Sequence, residues 1–165
     1  MDKRDSLLVI DDEPYLLKTL CEYLDTAGYA VSFATSCKQA VEAFRLGPPD
    51  AVVVDYLLPD GNALELMERF RAVDPLVPCI VLTGHASIDL AVKAIKSGAE
   101  QFICKPVELS ALRVVVERAV DAHRALLAVG TRGRATPIMQ SRVTIAASSA
   151  SDQPSVPAGR SGSTM

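Results

Sequence analysis

The sequence predicts an α/β fold, a doubly wound parallel sheet of five strands with helices on both faces. Short apolar runs alternate five times with longer amphipathic stretches between residues 7 and 129. Strands and helices that alternate at this spacing form βαβ units, whose crossovers place helices on both sides of a parallel sheet. Two of the runs, "AVVVD" and "CIVLT", are almost entirely apolar, which is typical of strands buried on both faces.

Each apolar run is predicted to form one strand. The predicted strands are Leu7–Ile10, Ala30–Ala34, Ala51–Val54, Cys79–Leu82 and Gln101–Cys104. Five such units correspond to a flavodoxin-like (βα)5 sheet or to a small Rossmann-type sheet. In both arrangements, ligands bind at the carboxyl ends of the strands.

Five helices are predicted after these strands, because apolar residues recur there at helical spacing. The residues expected to face the core in the first four helices are Leu16, Leu17, Leu20, Leu24, Ala40, Val41, Phe44, Leu64, Met67, Phe70, Leu90, Ala91 and Ile95. The expected N-caps are Ser36, Asn62 or Asp60, and Ser87 for the second to fourth helices, and the expected stops are Gly28 and Gly98. The last helix is expected to run from near Glu108 to Val129.

The composition is that of a globular protein. The chain has 165 residues, of which 49% are apolar and 22% charged. It contains no apolar run of membrane-spanning length, and its first residues contain no secretory apolar segment. The four cysteines form no C-x-x-C pair, which argues against a zinc site or a disulfide framework, and they are expected to be small core residues. These features predict a cytoplasmic domain.

The charge and the composition both change near residue 130. Residues 1–129 contain 13 Lys and Arg against 19 Asp and Glu, whereas residues 130–165 contain four Arg and one Asp. The second segment is rich in Ser, Thr, Ala, Gly and Pro and has no sustained apolar period. We therefore predict a folded domain over residues 1–129 and a disordered tail or linker over residues 130–165.

Polar side chains follow four of the five predicted strands. Asp11 and Asp12 follow the first strand, Asp55 the third, Thr83 the fourth and Lys105 the fifth. Carboxylate oxygens suit a hard cation such as Mg²⁺, and a carboxylate can itself attack phosphorus to form an acyl phosphate. A lysine and a hydroxyl can contact the remaining phosphoryl oxygens. The set predicts Mg²⁺-dependent phosphorylation of a carboxylate, with Asp55 as the central candidate because it ends the middle strand.

Three longer segments carry a family resemblance. "VIDDEPY", "VVVDYLLPDGNALELMERF" and "CIVLTGHASIDLAVKAIKSGAEQFICKP" resemble the receiver domain of bacterial two-component response regulators. Five separated motifs agree with that family in order and spacing, over roughly residues 5–125. The third segment is most similar to receivers of nitrogen-regulator-type, enhancer-binding activators. The resemblance implies the flavodoxin-like strand order 2-1-3-4-5.

The resemblance also implies a phosphoacceptor and a metal site. Asp55 matches the phosphoacceptor of the family. Asp12 matches a direct Mg²⁺ ligand, and Asp11 matches the neighbour that holds a water molecule of the metal. Leu57 matches the position whose backbone carbonyl completes the metal shell.

Five further positions match residues that bind the phosphoryl group or respond to it. Thr83 matches the switch hydroxyl, and Lys105 matches the phosphate-binding lysine. Gly84 matches a position kept small so that the phosphoryl group can enter. Phe102 matches the switch aromatic residue, which turns inward when Thr83 moves. Pro106 matches a proline that follows a cis peptide bond.

The implied function is a signalling switch. A sensor histidine kinase or a phosphotransfer protein would phosphorylate Asp55, and the surface formed by the fourth helix, fifth strand and fifth helix would change its protein contacts. The output would be transcriptional regulation or relay of the phosphoryl group. The domain would catalyse only its own phosphorylation and dephosphorylation, and it is expected to contact neither membrane nor nucleic acid.

The same residues fit two other functions less well. A Mg²⁺-dependent phosphohydrolase with an aspartyl nucleophile usually needs a second aspartate two positions later, where this chain has Leu57. A flavin carrier of the same topology needs a phosphate-binding loop after the first strand, where Asp11 and Asp12 would repel a phosphate. The output remains open between a single-domain regulator, a phosphorelay intermediate and a piece of a longer activator.

Three consecutive valines on the last helix allow two interpretations. Val114, Val115 and Val116 span about 200° of a helix and cannot all face the sheet. They form either a broad buried stripe or part of a surface for phosphorylation-dependent homodimerisation. His123 is expected at the surface of the same helix. His85 is expected beside the site, where it would modulate how fast the acyl phosphate is lost.

Overall fold

The computed structural model describes residues 3–85 and 87–130. The strands in this part of the chain are β1 (Ser6–Ile10), β2 (Ala30–Ala34), β3 (Ala51–Asp55), β4 (Leu57–Leu58), β5 (Gly61–Asn62), β6 (Cys79–Thr83) and β7 (Gln101–Cys104). The helices are α1 (Pro14–Thr26), α2 (Cys37–Leu46), α3 (Ala63–Val73), α4 (Ile88–Lys96) and α5 (Leu109–Gly130). The predicted tail lies outside the described residues, apart from Gly130, which ends α5.

Five of the strands form one parallel sheet with the order β2-β1-β3-β6-β7. Counted without the short antiparallel pair β4 and β5, this order is 2-1-3-4-5, which confirms the flavodoxin-like prediction. Ile10 pairs with Val54, and Val54 pairs with Val81, so β3 lies at the centre of the sheet. The residues that follow β1, β3 and β6 therefore meet at one edge.

Side chains that alternate along the strands form two cores, one on each face of the sheet. Val52 and Val54 face a cluster with Phe44 of α2 and Phe70 of α3, whose rings stack with centroids 4.3 Å apart. Val53 faces the other cluster, which is built from α1 and α5. Every residue of β3 and β6 is buried, which explains their continuous apolar sequences.

The helix caps agree with the sequence, and the structure decides between the two candidates for the N-cap of the third helix. Ser36 and Ser87 accept hydrogen bonds from the first turns of α2 and α4. Asn62, rather than Asp60, is the N-cap of α3. The Asp60 carboxylate instead accepts hydrogen bonds from the backbone N–H groups of Cys37 (2.7 Å) and Lys38, at the start of α2. Asp60 thus connects the loop after β3 to the neighbouring helix.

The prediction that Ile95 faces the core is wrong. The buried residue of α4 is Ala94, whereas the Ile95 side chain is 53% exposed. The apolar side of α4 is wider than its contact with the sheet, so a helical period alone does not say which part of that side is covered. The helix presents an exposed stripe formed by Ile88, Val92 and Ile95.

The prediction that His123 is exposed is also wrong, because only 3% of its surface is accessible. His123 continues the buried stripe of α5 one turn beyond Ala119 and Val120. Its Nε2 lies 3.0 Å from an Asp74 carboxylate oxygen, and its Nδ1 lies 3.9 Å from an Asp50 oxygen. The polar ring is buried there because carboxylates that end α3 and precede β3 accompany it.

The four cysteines differ in their burial, and so do the three valines of α5. All four cysteines are free; Cys79 is buried and Cys21 and Cys37 are partly buried, but Cys104 is exposed at the end of edge strand β7. Cys104 is therefore not a core residue.

In the valine run, Val116 is buried and Val114 is 46% exposed, so the run is not one buried stripe.

No helix among the described residues has the length and the apolar character needed to cross a lipid bilayer.

We expect Asp60→Asn to lower the free energy of unfolding at neutral pH, because the carboxylate accepts two backbone hydrogen bonds at the start of α2. These bonds lower the pKa of Asp60 below its ordinary value of 3.8. The contribution is therefore complete above pH 3.8 and is lost as the pH falls through the lowered pKa. Urea denaturation of wild type and variant at several pH values measures it, with exposed Glu68→Gln as the control. A difference that persists undiminished at the lowest pH would contradict the assignment.

Candidate functional site

The site lies at the carboxyl edge of the sheet. Asp11 follows β1, Asp55 is the last residue of β3, and Thr83 is the last residue of β6. Lys105 follows β7, whose last residue, Cys104, pairs with Thr83. The parallel sheet therefore brings together residues that are almost one hundred positions apart in the chain, such as Asp11 and Lys105.

Three carboxylates form the acidic part of the site. One oxygen of each of Asp11, Asp12 and Asp55 lies within 4.8 Å of one oxygen of the others. The Asp11 side chain is fully buried, Asp55 is 9% exposed, and Asp12 is exposed. Such a set of oxygen ligands, open to solvent on one side, fits a hard divalent cation that keeps part of its water shell.

Lys105 provides the positive charge of the site. Its Nζ lies 3.0 Å from Asp11 Oδ2 and 3.4 Å from Asp55 Oδ1. The other Asp11 oxygen accepts a hydrogen bond from the backbone N–H of Glu13 at 2.9 Å. Both oxygens of the buried Asp11 are thus satisfied, whereas among the described residues the Asp55 carboxylate contacts the Lys105 ammonium that it shares with Asp11.

The pKa values of Asp55 and Lys105 are both raised, but for different physical reasons. Burial and the neighbouring Asp11 charge raise the pKa of Asp55, and Lys105 only partly offsets them. Burial alone would lower the pKa of Lys105, but its hydrogen bonds and charge pairing with Asp11 and Asp55 outweigh burial and raise it. The site therefore holds excess negative charge that a further cation would neutralise.

The remaining candidate residues surround this charged centre. Thr83 is 3% exposed, and its Oγ1 accepts a hydrogen bond from the His85 N–H at 3.1 Å. A methyl group added at Gly84 would meet no atom within 4 Å, so the backbone there borders open space. The backbone N–H of Lys105 donates to the Thr83 carbonyl at 2.7 Å, and the Lys105–Pro106 peptide bond is cis.

Leu57 and Phe102 lie close in the chain to Asp55 and Lys105, respectively. Leu57 begins the short strand β4, two residues after Asp55, and its side chain is 56% exposed. Phe102 pairs with Val81 in the sheet and packs, partly buried, against the core that contains Phe70. The aromatic ring thus borders both the edge of the sheet and its α4 side.

The fold and this arrangement of side chains match one protein family. The response regulator receiver domain matches residues 7–117, which is more than half of the chain. This chain belongs to the response regulator receiver family. It is thus a two-component receiver, a phosphorylation-based regulatory switch, and the phosphohydrolase alternative is not favoured.

A curated relative and two solved structures show the relationship in more detail. The C4-dicarboxylate transport transcriptional regulatory protein DctD of Pseudomonas aeruginosa is 35% identical over 126 residues, which are 76% of this chain and 27% of that protein. The beryllofluoride-activated NtrC4 receiver domain dimer has 30% identity and a TM-score of 0.68, covering 72% of this chain and 98% of that one. Both confirm the predicted similarity to nitrogen-regulator-type receivers.

The second structure is a response regulator protein from Burkholderia pseudomallei with a phosphorylated aspartic acid, a calcium ion and citrate. It has 29% identity and a TM-score of 0.65, covering 76% of this chain and 74% of that one. Receiver domains bind Mg²⁺ or Ca²⁺ at an acidic pocket and interact with histidine kinases or phosphotransfer proteins. This receiver spans 27% of the length of DctD from Pseudomonas aeruginosa, 37% of the response regulator protein PilR of the same organism and 53% of the acid tolerance regulatory protein ActR of Rhizobium meliloti.

Sequence reasoning missed one group of residues at the opposite edge of the sheet. Asp50 accepts hydrogen bonds from the Ser6 N–H at 2.8 Å and from the Ser6 hydroxyl, next to the contact between His123 and Asp74. The sequence signal that could have identified this group is the helical spacing of His123 from the buried apolar residues of α5, which indicates that the histidine is buried. This group holds the amino edge of the sheet to α5, far from the carboxylate cluster.

We expect Asp55→Asn to raise the free energy of unfolding at neutral pH without divalent cations, because it removes a charge that burial and Asp11 disfavour. A carboxyl group with a raised pKa costs stability in full above that pKa and costs none below the ordinary pKa, where both the folded and the unfolded forms are protonated. The gain should therefore shrink as the pH falls through the raised pKa and vanish below the ordinary value of 3.8. Urea denaturation at several pH values measures it, with exposed Asp89→Asn as the control. A loss of stability in Asp55→Asn at neutral pH would contradict this electrostatic balance.

Proposed function

We propose that Asp55 is the phosphoacceptor of this receiver and that a histidine kinase or a phosphotransfer protein is the donor. The observation that carries the proposal is the convergence of Asp55 with two other carboxylates and Lys105 at one sheet edge. An Asp55 oxygen would attack the phosphorus, forming a P–O bond while the P–N bond to the donor histidine breaks. The imidazole then takes up a proton.

Asp11, Asp12 and Asp55 would hold Mg²⁺, together with the backbone carbonyl of Leu57. When bound, the ion would neutralise charge on the phosphoryl oxygens and on the acidic cluster. The support is the close approach of the three carboxylates and the buried, doubly hydrogen-bonded position of Asp11. Asp11 is fixed in place and the exposed Asp12 faces solvent, so the set combines a rigid ligand with an accessible one.

Lys105, Thr83 and Gly84 would surround the transferred group. Lys105 Nζ is already within 3.4 Å of Asp55 and can contact a phosphoryl oxygen as a point charge. Gly84 would leave space for that group, since it has no side chain and the position beside its backbone is open. The Thr83 hydroxyl, which now bonds within its own loop to His85, would exchange that contact for a phosphoryl oxygen.

Phe102 would respond to this exchange as the switch aromatic residue. Its ring is partly buried on the α4 side of the sheet, one strand away from Thr83. A shift of Thr83 toward Asp55 changes the space beside β7, and inward rotation of Phe102 would then alter the surface of α4, β7 and α5. The phosphoryl group would thereby bias a two-state equilibrium of that surface.

We further propose a cytoplasmic location and an output to transcription. All four cysteines are free, which suits a reducing compartment, and the DctD relative is a transcriptional regulatory protein. Residues 1–129 would form the receiver and residues 130–165 a tail or linker. Catalysis would be limited to the phosphorylation and dephosphorylation of the receiver itself.

We expect incubation with Mg²⁺ and acetyl phosphate to add one phosphoryl group to wild type and none to Asp55→Asn. The added group should survive acid and be lost in base, as expected of an acyl phosphate. Intact-mass spectrometry measures both properties. A purified histidine kinase with a broad donor range would serve as the second donor. If neither donor modified wild type, or if Asp55→Asn were modified equally, the phosphoacceptor assignment would fail.

A homodimer through α4, β7 and α5 is the partner surface that we propose for the phosphorylated state. Ile88, Val92 and Ile95 form an exposed apolar stripe on α4, and Val114 is exposed on α5. The NtrC4 receiver structure is that of a beryllofluoride-activated dimer. Exposed apolar residues in a continuous stripe are typical of a surface that a partner covers.

We expect wild type with Mg²⁺ and beryllofluoride to sediment as a dimer and Val92→Glu to remain monomeric, because a charge in the apolar stripe would be buried by association. The matched control is Val73→Glu on α3, where the side chain is similarly exposed, at 50%. Sedimentation velocity over a range of concentrations measures the change. Equal dimerisation of Val92→Glu and Val73→Glu would exclude the α4 stripe from the interface.

A further inference from the structure

One arginine connects the end of α4 to the neighbouring helix. The guanidinium group of Arg71, in the last turn of α3, donates hydrogen bonds to the backbone carbonyls of Ser97 and Gly98. Ser97 is the C-cap of α4. Carbonyl groups at the end of a helix lack partners within the helix and carry its partial negative charge, so a guanidinium is well suited to bind them.

The packing at Gly98 is shaped around this contact. Gly98 has a φ of +87°, a left-handed conformation that favours glycine. A methyl group at this position would lie 2.7 Å from Arg71 Nη1 and 2.9 Å from Arg71 Cζ. The planar group of Arg71 thus occupies the space that a side chain at residue 98 would need.

Further hydrogen bonds fix the chain just after α4. The backbone N–H of Ala99 donates to the Ala94 carbonyl, and that of Glu100 donates to Cys79 in β6 at 2.8 Å. Ala99 is buried. The carboxyl end of α4 is therefore held to α3 and to the sheet at the same time.

The amino end of α4 has no comparable connection in the described part of the chain. The hydrogen bonds of Ser87 cap the first turn of its own helix and reach no other element. Ala94, in the second half of α4, is the fully buried residue of the helix, whereas Ile88 is 83% exposed. This loosely packed end follows Thr83 and Gly84, which border the phosphorylation site.

We propose that Arg71 is a positioning residue that fixes the carboxyl end of α4, so that phosphorylation moves the helix mainly at its amino end. The inference rests on the proposed function and specifies how the signal crosses α4. Thr83 precedes the amino end of α4, and Arg71 holds the carboxyl end of α4. Ile88 would therefore be displaced more than Ile95, and the apolar stripe would change its tilt and not only its exposure.

Hydrogen–deuterium exchange of the full chain tests both parts of the inference. In wild type, Mg²⁺ and beryllofluoride should change the exchange of residues 87–92 and leave residues 97–100 unchanged. Without any phosphoryl mimic, Arg71→Met should speed exchange at residues 97–100 about tenfold, because it keeps the stem but loses the bonds to the two carbonyls. Arg71→Lys should lie between, since an ammonium cannot reproduce the planar double contact.

The matched control is Arg69→Met, which changes an exposed arginine of the same helix. Unchanged exchange at residues 97–100 in Arg71→Met, or equal acceleration in Arg69→Met, would overturn the role of Arg71. A beryllofluoride response as large at residues 97–100 as at 87–92 in wild type would overturn the fixed-end description. Failure of phosphorylation at Asp55 would appear separately, by intact mass, and would leave the comparison of variants without the mimic decisive for Arg71.

Discussion

The charge of the whole site depends on one ammonium group that lies between two carboxylates. Lys105 contacts Asp11 and Asp55, which end neighbouring strands and would otherwise face each other with like charge. The ammonium only partly offsets the burial of Asp55 and the neighbouring Asp11 charge, since the pKa of Asp55 stays raised. The site is therefore stable enough to fold and still short of positive charge. That shortage of positive charge favours the binding of a divalent cation beside Asp55. It also leaves an unfavourable electrostatic free energy at Asp55, the residue proposed to react.

The parallel sheet makes this concentration of charge possible. Its two central strands are buried along their whole length, so charged groups can be placed only where the strands end. The two cores on its faces fix the register, and a register shift of one residue would point Asp55 toward a different face. Apolar packing in the middle of the domain thus sets the distances between ionised groups at its edge.

Much of this could be predicted from the sequence, because strand ends are local signals. The apolar runs are followed directly by Asp11, Asp55, Thr83 and Lys105, and the parallel topology places those residues together. Ile95 and Cys104 could not be placed this way, since their exposure depends on how far a neighbouring element extends over them. His123 was misplaced for a different reason. A polar residue in an apolar stripe is buried when carboxylates from other elements meet it, and Asp74 and Asp50 are far from it in the chain.

The two edges of the sheet differ in what they restrain. At the amino edge, His123 and Arg124 connect α5 to Asp74 and Asp5, so that helix is fixed along its middle by groups from α3 and the start of β1. The carboxyl end of α4 also lies at the amino edge, where Arg71 and the return of the chain to the sheet hold it. The amino end of α4 lies at the opposite, carboxyl edge, a few residues after Thr83 and beside the proposed phosphorylation site. A charge added at Asp55 would therefore act first on the amino end of α4, which is the end that Arg71 does not hold.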